Sequence, residues 1–191
     1  LFFPIPGDEG LPGLRFLEQL AHRFPQQVLV FPFLFREGFL AALRGATYGL
    51  MPSLYEPFGM ANEFYLNGTV GIGRATGGIV QQIVPLRSAA SYSRAVQNIA
   101  SRWHAPSSIP TGILYREKQG LPTEAGDWAG LNAAKYSLDE AGLNRVQERL
   151  KYTLFQSMVD ELRLALGDAT KVYRQNPHMY YRLLADGIAH I

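Results

Sequence analysis

Residues Met51–Val80 read MPSLYEPFGMANEFYLNGTVGIGRATGGIV. The stretch predicts a strand into Met51, a turn holding Glu56, a helix opening at Gly59 and running to about Leu66, and a break at Asn67-Gly68. A second strand follows over Val70–Gly73, then a Thr76-Gly77-Gly78 turn that opens a short helix toward Val84. Strand, helix, strand, helix in that order is the pattern of a parallel sheet with helical crossovers. Ligands of such sheets bind just beyond the carboxyl ends of the strands, and Ser53–Gly59 occupies that place.

The residue types suit a ligand rich in hydroxyls and phosphates. Pro57 biases Glu56 away from helical backbone and holds its carboxylate at the strand end. There it can accept hydrogen bonds from vicinal hydroxyls, or stabilise positive charge on a sugar ring. Gly59-Met60-Ala61 opens a helix whose first N–H groups lack intrahelical partners. Glu63 sits one turn into that helix, on the same edge of the sheet. Thr76-Gly77-Gly78 permits a nest of N–H groups for an anion. Arg74, just before it, is a candidate to reach the same ligand, although an arginine at a strand edge is more often solvated. Gly71-Ile72-Gly73 lies within a strand and lacks the spacing of a dinucleotide fingerprint.

Outward from this stretch the α/β reading continues. Phe2–Ile5 and Gln27–Pro32 read as strands. Leu14, Leu17, Ala21 and Phe24 mark one helical face closed by Pro25, and Phe39, Leu40 and Leu43 a short helix ended by Gly45. Ala46–Met51 is the strand into the opening motif. A helix is predicted within Ser88–Trp103 and a strand at Gly112–Tyr115. Pro122–Leu150 reads as an extended loop, and residues 86–150 as including an insertion. Leu154, Met158, Leu162 and Leu166 give an amphipathic helix ending at Gly167, with Asp168 capping another to about Gln175. Asn176 caps the last helix, with Pro177 at its first position.

The chain has 191 residues, 47% hydrophobic and 18% charged, with formal net charge +2. That is enough for one ordinary domain and offers no basic run for nucleic acid. There is no cysteine, which excludes disulfides and thiolate chemistry. His22, His104, His178 and His190 are scattered without ligand spacing, so no metal is expected. No membrane span and no signal peptide are legible, and a cytoplasmic location is the expectation. The chain opens on Leu1-Phe2-Phe3-Pro4. This reads as a strand entered mid-fold, in a piece of a longer protein. Phe31, Phe33 and Phe35 form a candidate stacking face for a base.

Pro52-Ser53-Leu54-Tyr55-Glu56-Pro57-Phe58-Gly59 resembles the PSxxEPFG segment of bacterial glycogen and starch synthases, retaining glycosyltransferases of the GT-B fold. Gly68–Ile79 resembles their GTLPIVRRTGGL, Ala46–Ser53 their strand into that segment, and Thr111–Tyr115 their TGFLF. The resemblance implies a Rossmann-like, C-terminal nucleotide-sugar-binding domain. It implies Glu56 as the catalytic glutamate at the donor sugar, with Gly59, Met60, Ala61, Glu63, Thr76, Gly77 and Gly78 around the donor. The implied reaction is glucosyl transfer from ADP-glucose or UDP-glucose to an α-1,4-glucan, with no cofactor or metal. The acceptor would be held by an N-terminal domain that this chain lacks, so the chain alone would be inactive. Two alternatives stand: another retaining hexosyltransferase with a small-molecule acceptor, or a non-catalytic domain that binds sugar nucleotide or glucan. Where relatives in the wider superfamily place a second glutamate, this chain has Phe64, and the adjacent carboxylate is Glu63.

Overall fold

The computed structural model describes residues 10–30, 36–56, 60–135 and 148–191, with backbone alone for 10–16, 36–37 and 132–135. Two compact units are present. One comprises residues 1–42 and 120–156, the other residues 43–119 and 157–191.

The larger unit is built on three parallel strands, β1 (Tyr48–Met51), β2 (Val70–Arg74) and β3 (Ile113–Tyr115), in the order β1-β2-β3. Tyr48 pairs with Val70, and Ile72 with Ile113. Helix α3 (Met60–Leu66) connects β1 to β2, and α4 (Gly77–Gln82) and α5 (Arg94–Ala100) connect β2 to β3. This is the parallel α/β sheet flanked by helices that the strand–helix alternation predicts. All of β2 is buried, as a central parallel strand requires.

The two faces of the sheet are closed differently. On one, Ile72, Ile113 and Tyr115 pack with Ala165 and Ala169, and with Tyr48 and Leu162. Ala165 and Ala169 lie four apart on the long helix α7 (Thr153–Gln175), and their small side chains let it approach closely. The other face carries Gly49, Gly71 and Gly73. Phe64 of α3 fills the space over Gly49, Ile83 and Tyr65 that over Gly71, and Ile79 that over Gly73. Ile72, Ile79, Ile83 and Ile113 are essentially removed from water. Each contributes about 1.5–3 kcal/mol.

At the amino ends of the strands, Val70, Leu86, Tyr180 and Leu183 form a second cluster. Tyr180 and Leu183 belong to the last helix, α8 (Pro177–His190). Asn176 Oδ1 accepts from the Met179 N–H at 3.1 Å, the cap expected from sequence. Tyr180 Oη donates to Thr47 O at 2.8 Å, and Tyr48 Oη to Ala169 O at 3.0 Å. Tyr65 is fully buried and donates to Thr111 O at 3.1 Å; burial pushes its phenol up to about 12.

The smaller unit holds α1 (Gly10–Arg23), the first part of α2 (Arg36–Gly45), α6 (Glu124–Lys135) and the start of α7. Asp127 fastens it internally, its Oδ2 accepting from the Leu154 N–H at 2.8 Å.

Several sequence expectations are corrected. Among the described residues Gln27–Val30 form no strand; only Val30 makes an isolated bridge, and Leu29 is exposed. A short apolar run does not separate a buried strand from a surface segment. Helix α6 occupies residues placed in an extended loop; contacts with Leu154 and Tyr152, distant in sequence, hold it. Tyr152 closes over Gly130 there. Within residues 86–150, α5 and β3 fall where the helix in Ser88–Trp103 and the strand at Gly112–Tyr115 are expected. Helix α7 does not end at Gly167 but runs through it to Gln175. Asp168 does not cap a new helix; its Oδ2 accepts from the Ser91 N–H at 2.8 Å. Packing of Ala165 and Ala169 outweighs the cost of an internal glycine, about 1 kcal/mol. Strands at Phe2–Ile5 and the Phe31, Phe33 and Phe35 face lie outside the described residues.

Gly112, the residue before β3, lies close against the backbone of β2. A Cβ there would sit 2.5 Å from Gly71 O. Gly112→Ala is expected to lower stability by about 1–3 kcal/mol in urea denaturation. Gly45→Ala, which meets nothing within 4 Å, should leave the midpoint unchanged or raise it slightly.

Candidate functional site at the carboxyl edge of the sheet

The loop after β1 and the turn after β2 meet at the carboxyl edge. The Gly78 N–H donates to Glu56 O at 2.7 Å. Gly77 has φ +44°, and a Cβ on it would overlap Glu56 O. Gly77 is therefore required for two reasons: a left-handed backbone and direct contact with the Glu56 main chain. The motifs singled out in sequence come together here, and they touch through backbone. One consequence corrects the sequence reading. The Gly78 N–H is satisfied within the protein and does not contribute to an open anion nest.

A buried ion pair holds the same loop from beneath. Arg74 is 2% exposed, so the solvated strand-edge arginine expected from sequence is corrected. Its Nε donates to Glu117 Oε2 at 2.8 Å, and its Nη2 meets Glu117 Oε1. Its Nη1 donates to Leu54 O at 2.8 Å, and Thr76 Oγ1 donates to the same carbonyl at 3.3 Å. Arg116 Nε lies 3.0 Å from Glu117 Oε1, and Arg116 Nη1 donates to Ala75 O at 2.7 Å. The bidentate geometry fixes the guanidinium, which in turn fixes Leu54 and the approach to Glu56.

Glu56 itself is half-buried. Among the described residues its carboxylate has no hydrogen-bond or ion-pair partner. It is thus a held but unoccupied acceptor, flanked by the exposed Leu54 and Tyr55. Gly59 lies outside the described residues. Met60 is exposed at the start of α3, and Glu63 is exposed on the same helix, its main-chain oxygen accepting from Asn67 Nδ2 at 2.8 Å. Ala61 is fully buried, so its methyl belongs to the core and only its backbone is left for a ligand. Thr76 is half-buried and makes no side-chain cap on α4.

Glu117 and Arg116 escaped the sequence reading. Their signal is the charged run Arg116-Glu117-Lys118 directly after Ile113–Tyr115. Charges at the carboxyl end of a buried strand, beside Arg74 on the neighbouring strand, must pair or face water. Glu161 on α7 was missed as well. It is buried, and its Oε2 has no hydrogen-bond partner. Burial is the main cause holding its carboxyl above the ordinary range, opposed by Lys118 and reinforced by Asp160 and Glu117.

Of the histidines, His104 is buried with Nε2 2.6 Å from Val80 O, and burial pushes its pKa down. Its ring lies 6.0 Å from that of His190. Among the described residues no group of three or more His, Asp or Glu side chains could hold a metal ion. No helix among them is long and apolar enough to cross a membrane.

Removing the carboxylate beneath the loop leaves a buried guanidinium unpaired. Glu117→Gln is expected to cost about 3–5 kcal/mol by chemical denaturation. A loss under about 1 kcal/mol would mean that Arg74 finds water or another acceptor.

Glu161 carries a pH signature. Its folded pKa is raised above the unfolded value, so the folded chain binds the extra proton. The associated stability is fully present below the unfolded pKa and is lost as pH rises through the folded pKa. Glu161→Gln should remove that dependence and raise the melting temperature at neutral pH, while leaving it little changed in acid. Equal shifts at both pH values would contradict this assignment.

Comparison with known proteins gives no matching family model, and no curated protein matches the chain.

Proposed function

We propose that the carboxyl edge of this sheet is the donor site of a retaining glucosyltransferase of the GT-B type, using ADP-glucose or UDP-glucose. The observation that carries the proposal is the 2.7 Å hydrogen bond from the Gly78 N–H to Glu56 O. It joins two motifs, distant in sequence, at the ends of adjacent parallel strands, where ligands of such sheets bind. Their resemblance to the glycogen and starch synthases supplies the chemistry.

In this reading the Glu56 carboxylate accepts hydrogen bonds from vicinal hydroxyls of the donor sugar. As the glycosidic bond to the diphosphate breaks, its negative charge also stabilises the positive charge that develops on the ring. Its lack of a partner among the described residues suits both roles. The backbone of the Gly77 turn and of Met60 and Ala61 lies beside the sugar and diphosphate. Glu63, exposed on α3, is placed for a ribose hydroxyl pair. The glucosyl group passes with retention to the end of an α-1,4-glucan, and the nucleoside diphosphate leaves.

Calorimetric titration with ADP-glucose, UDP-glucose, ADP and UDP tests the reading. Saturable binding to one sugar nucleotide and its diphosphate is expected. Glu56→Ala should weaken the sugar nucleotide about ten- to a hundredfold, the value of hydrogen bonds to a charged group, and leave the free diphosphate little changed. Gly77→Ala, which displaces Glu56, should reproduce that loss. No saturation at about 10 mM of any of the four ligands would overturn the proposal.

A further inference from the structure

At the opposite, amino end of β3 lies a pocket of about 480 Å³, half open to solvent and set between Pro85–Tyr92 and Ala100–Pro106. Pro85 forms a parallel bridge with Gly112, the residue before β3, so the pocket is anchored to the sheet edge. Its volume falls in the range of small-molecule sites. Among its lining residues are Arg87, Tyr92, Arg102, Trp103, His104 and Pro106, and no carboxylate is among them.

Two features give this pocket a sign. First, the carbonyls that Arg87 reaches, and those at the end of α5, are held by donors within the protein. Arg87 Nη1 donates to Ser108 O at 2.9 Å and Nη2 to Ala105 O at 2.8 Å. The end of α5 would ordinarily present a negative pole. Here Gln97 O accepts from the Ser101 N–H, Ile99 O from Arg102 and Ala100 O from Trp103 and His104. Asn98 O accepts from Ser101 Oγ. Second, the cations keep their charge. Neither Arg87 nor Arg102 is paired with a carboxylate among the described residues, and Arg102 is exposed. Beside Arg102, Trp103 is 55% exposed, an uncovered aromatic ring at the mouth.

We propose that this pocket binds a phosphorylated sugar. The phosphate meets the guanidinium of Arg102, whose planar fork matches phosphate oxygens, within the field of Arg87. The sugar ring lies against Trp103. The site is separate from the one at the carboxyl edge and does not rest on the function proposed for it.

The test uses the whole 191-residue chain, which has two tryptophans. The Trp103 indole N–H is assigned in 1H–15N spectra by Trp103→Phe and followed during titration. Glucose 1-phosphate should move it saturably, inorganic phosphate more weakly, and glucose not at all. Arg102→Ala, at an exposed position, should weaken binding about tenfold. Glu56→Ala should leave it unchanged. Four results would overturn the proposal. These are no saturable shift at about 20 mM, an equal response to glucose, binding indifferent to Arg102→Ala, or loss of the response in Glu56→Ala, which would move the ligand to the carboxyl edge.

Discussion

The guanidinium of Arg74 is the constraint on which the carboxyl edge depends. It stands at the end of a strand buried on both faces, so its charge cannot reach water. A buried charge must be matched, and Glu117 from beyond the next strand matches it. That pairing leaves one nitrogen over, and this nitrogen holds Leu54 O. The position of the Glu56 loop thus follows from how a strand-end cation is neutralised. Replacing the pair by apolar residues could leave the sheet as stable, since buried ion pairs seldom give net stability. Leu54 would then lose a fixed donor, and the loop its position.

The glycine turn acts on the same loop from the other side. Gly77 adopts a backbone that other residues avoid, and in doing so brings the Gly78 N–H onto Glu56 O. Arg74 and Thr76 bind at Leu54, and Gly78 at Glu56, so the loop after β1 is held at two points. Side-chain freedom of Glu56 is all that remains. A carboxylate presented this way meets a ligand with little ordering left to do, which is the physical content of preorganisation.

The sheet and its connections were legible because their signals are local. Strands β1, β2 and β3, helices α3 and α4, and the Asn176 cap all follow from apolar runs, glycine breaks and capping residues. The contact of Glu56 with Gly77 was legible only as a common location, since sequence places both at the carboxyl edge without saying that they touch. Arg74–Glu117 was not legible, because a pair so distant in sequence forms only once β2 and β3 are adjacent. Helix α7 was broken too early at Gly167 for a related reason: the small residues around it are favoured by the sheet face they pack on, not by helix propensity. Glu161, buried with its Oε2 unbonded among the described residues, had no sequence signature at all.

Arginines do similar work at both ends of the sheet, with different electrostatic outcomes. Arg74 fastens Leu54 O and is neutralised by Glu117; Arg87 fastens Ala105 O and Ser108 O and has no such carboxylate among the described residues. Loop carbonyls are satisfied in both cases. At the carboxyl edge Arg74 and Arg116 share Glu117, and Glu56 presents a carboxylate without a partner among the described residues, an acceptor suited to hydroxyl groups. At the amino edge it is the uncompensated guanidinium charge of Arg87 and Arg102, suited to an anion. Whether the arginine that holds the loop has a carboxylate partner therefore bears on the kind of ligand that each end of one small sheet can receive.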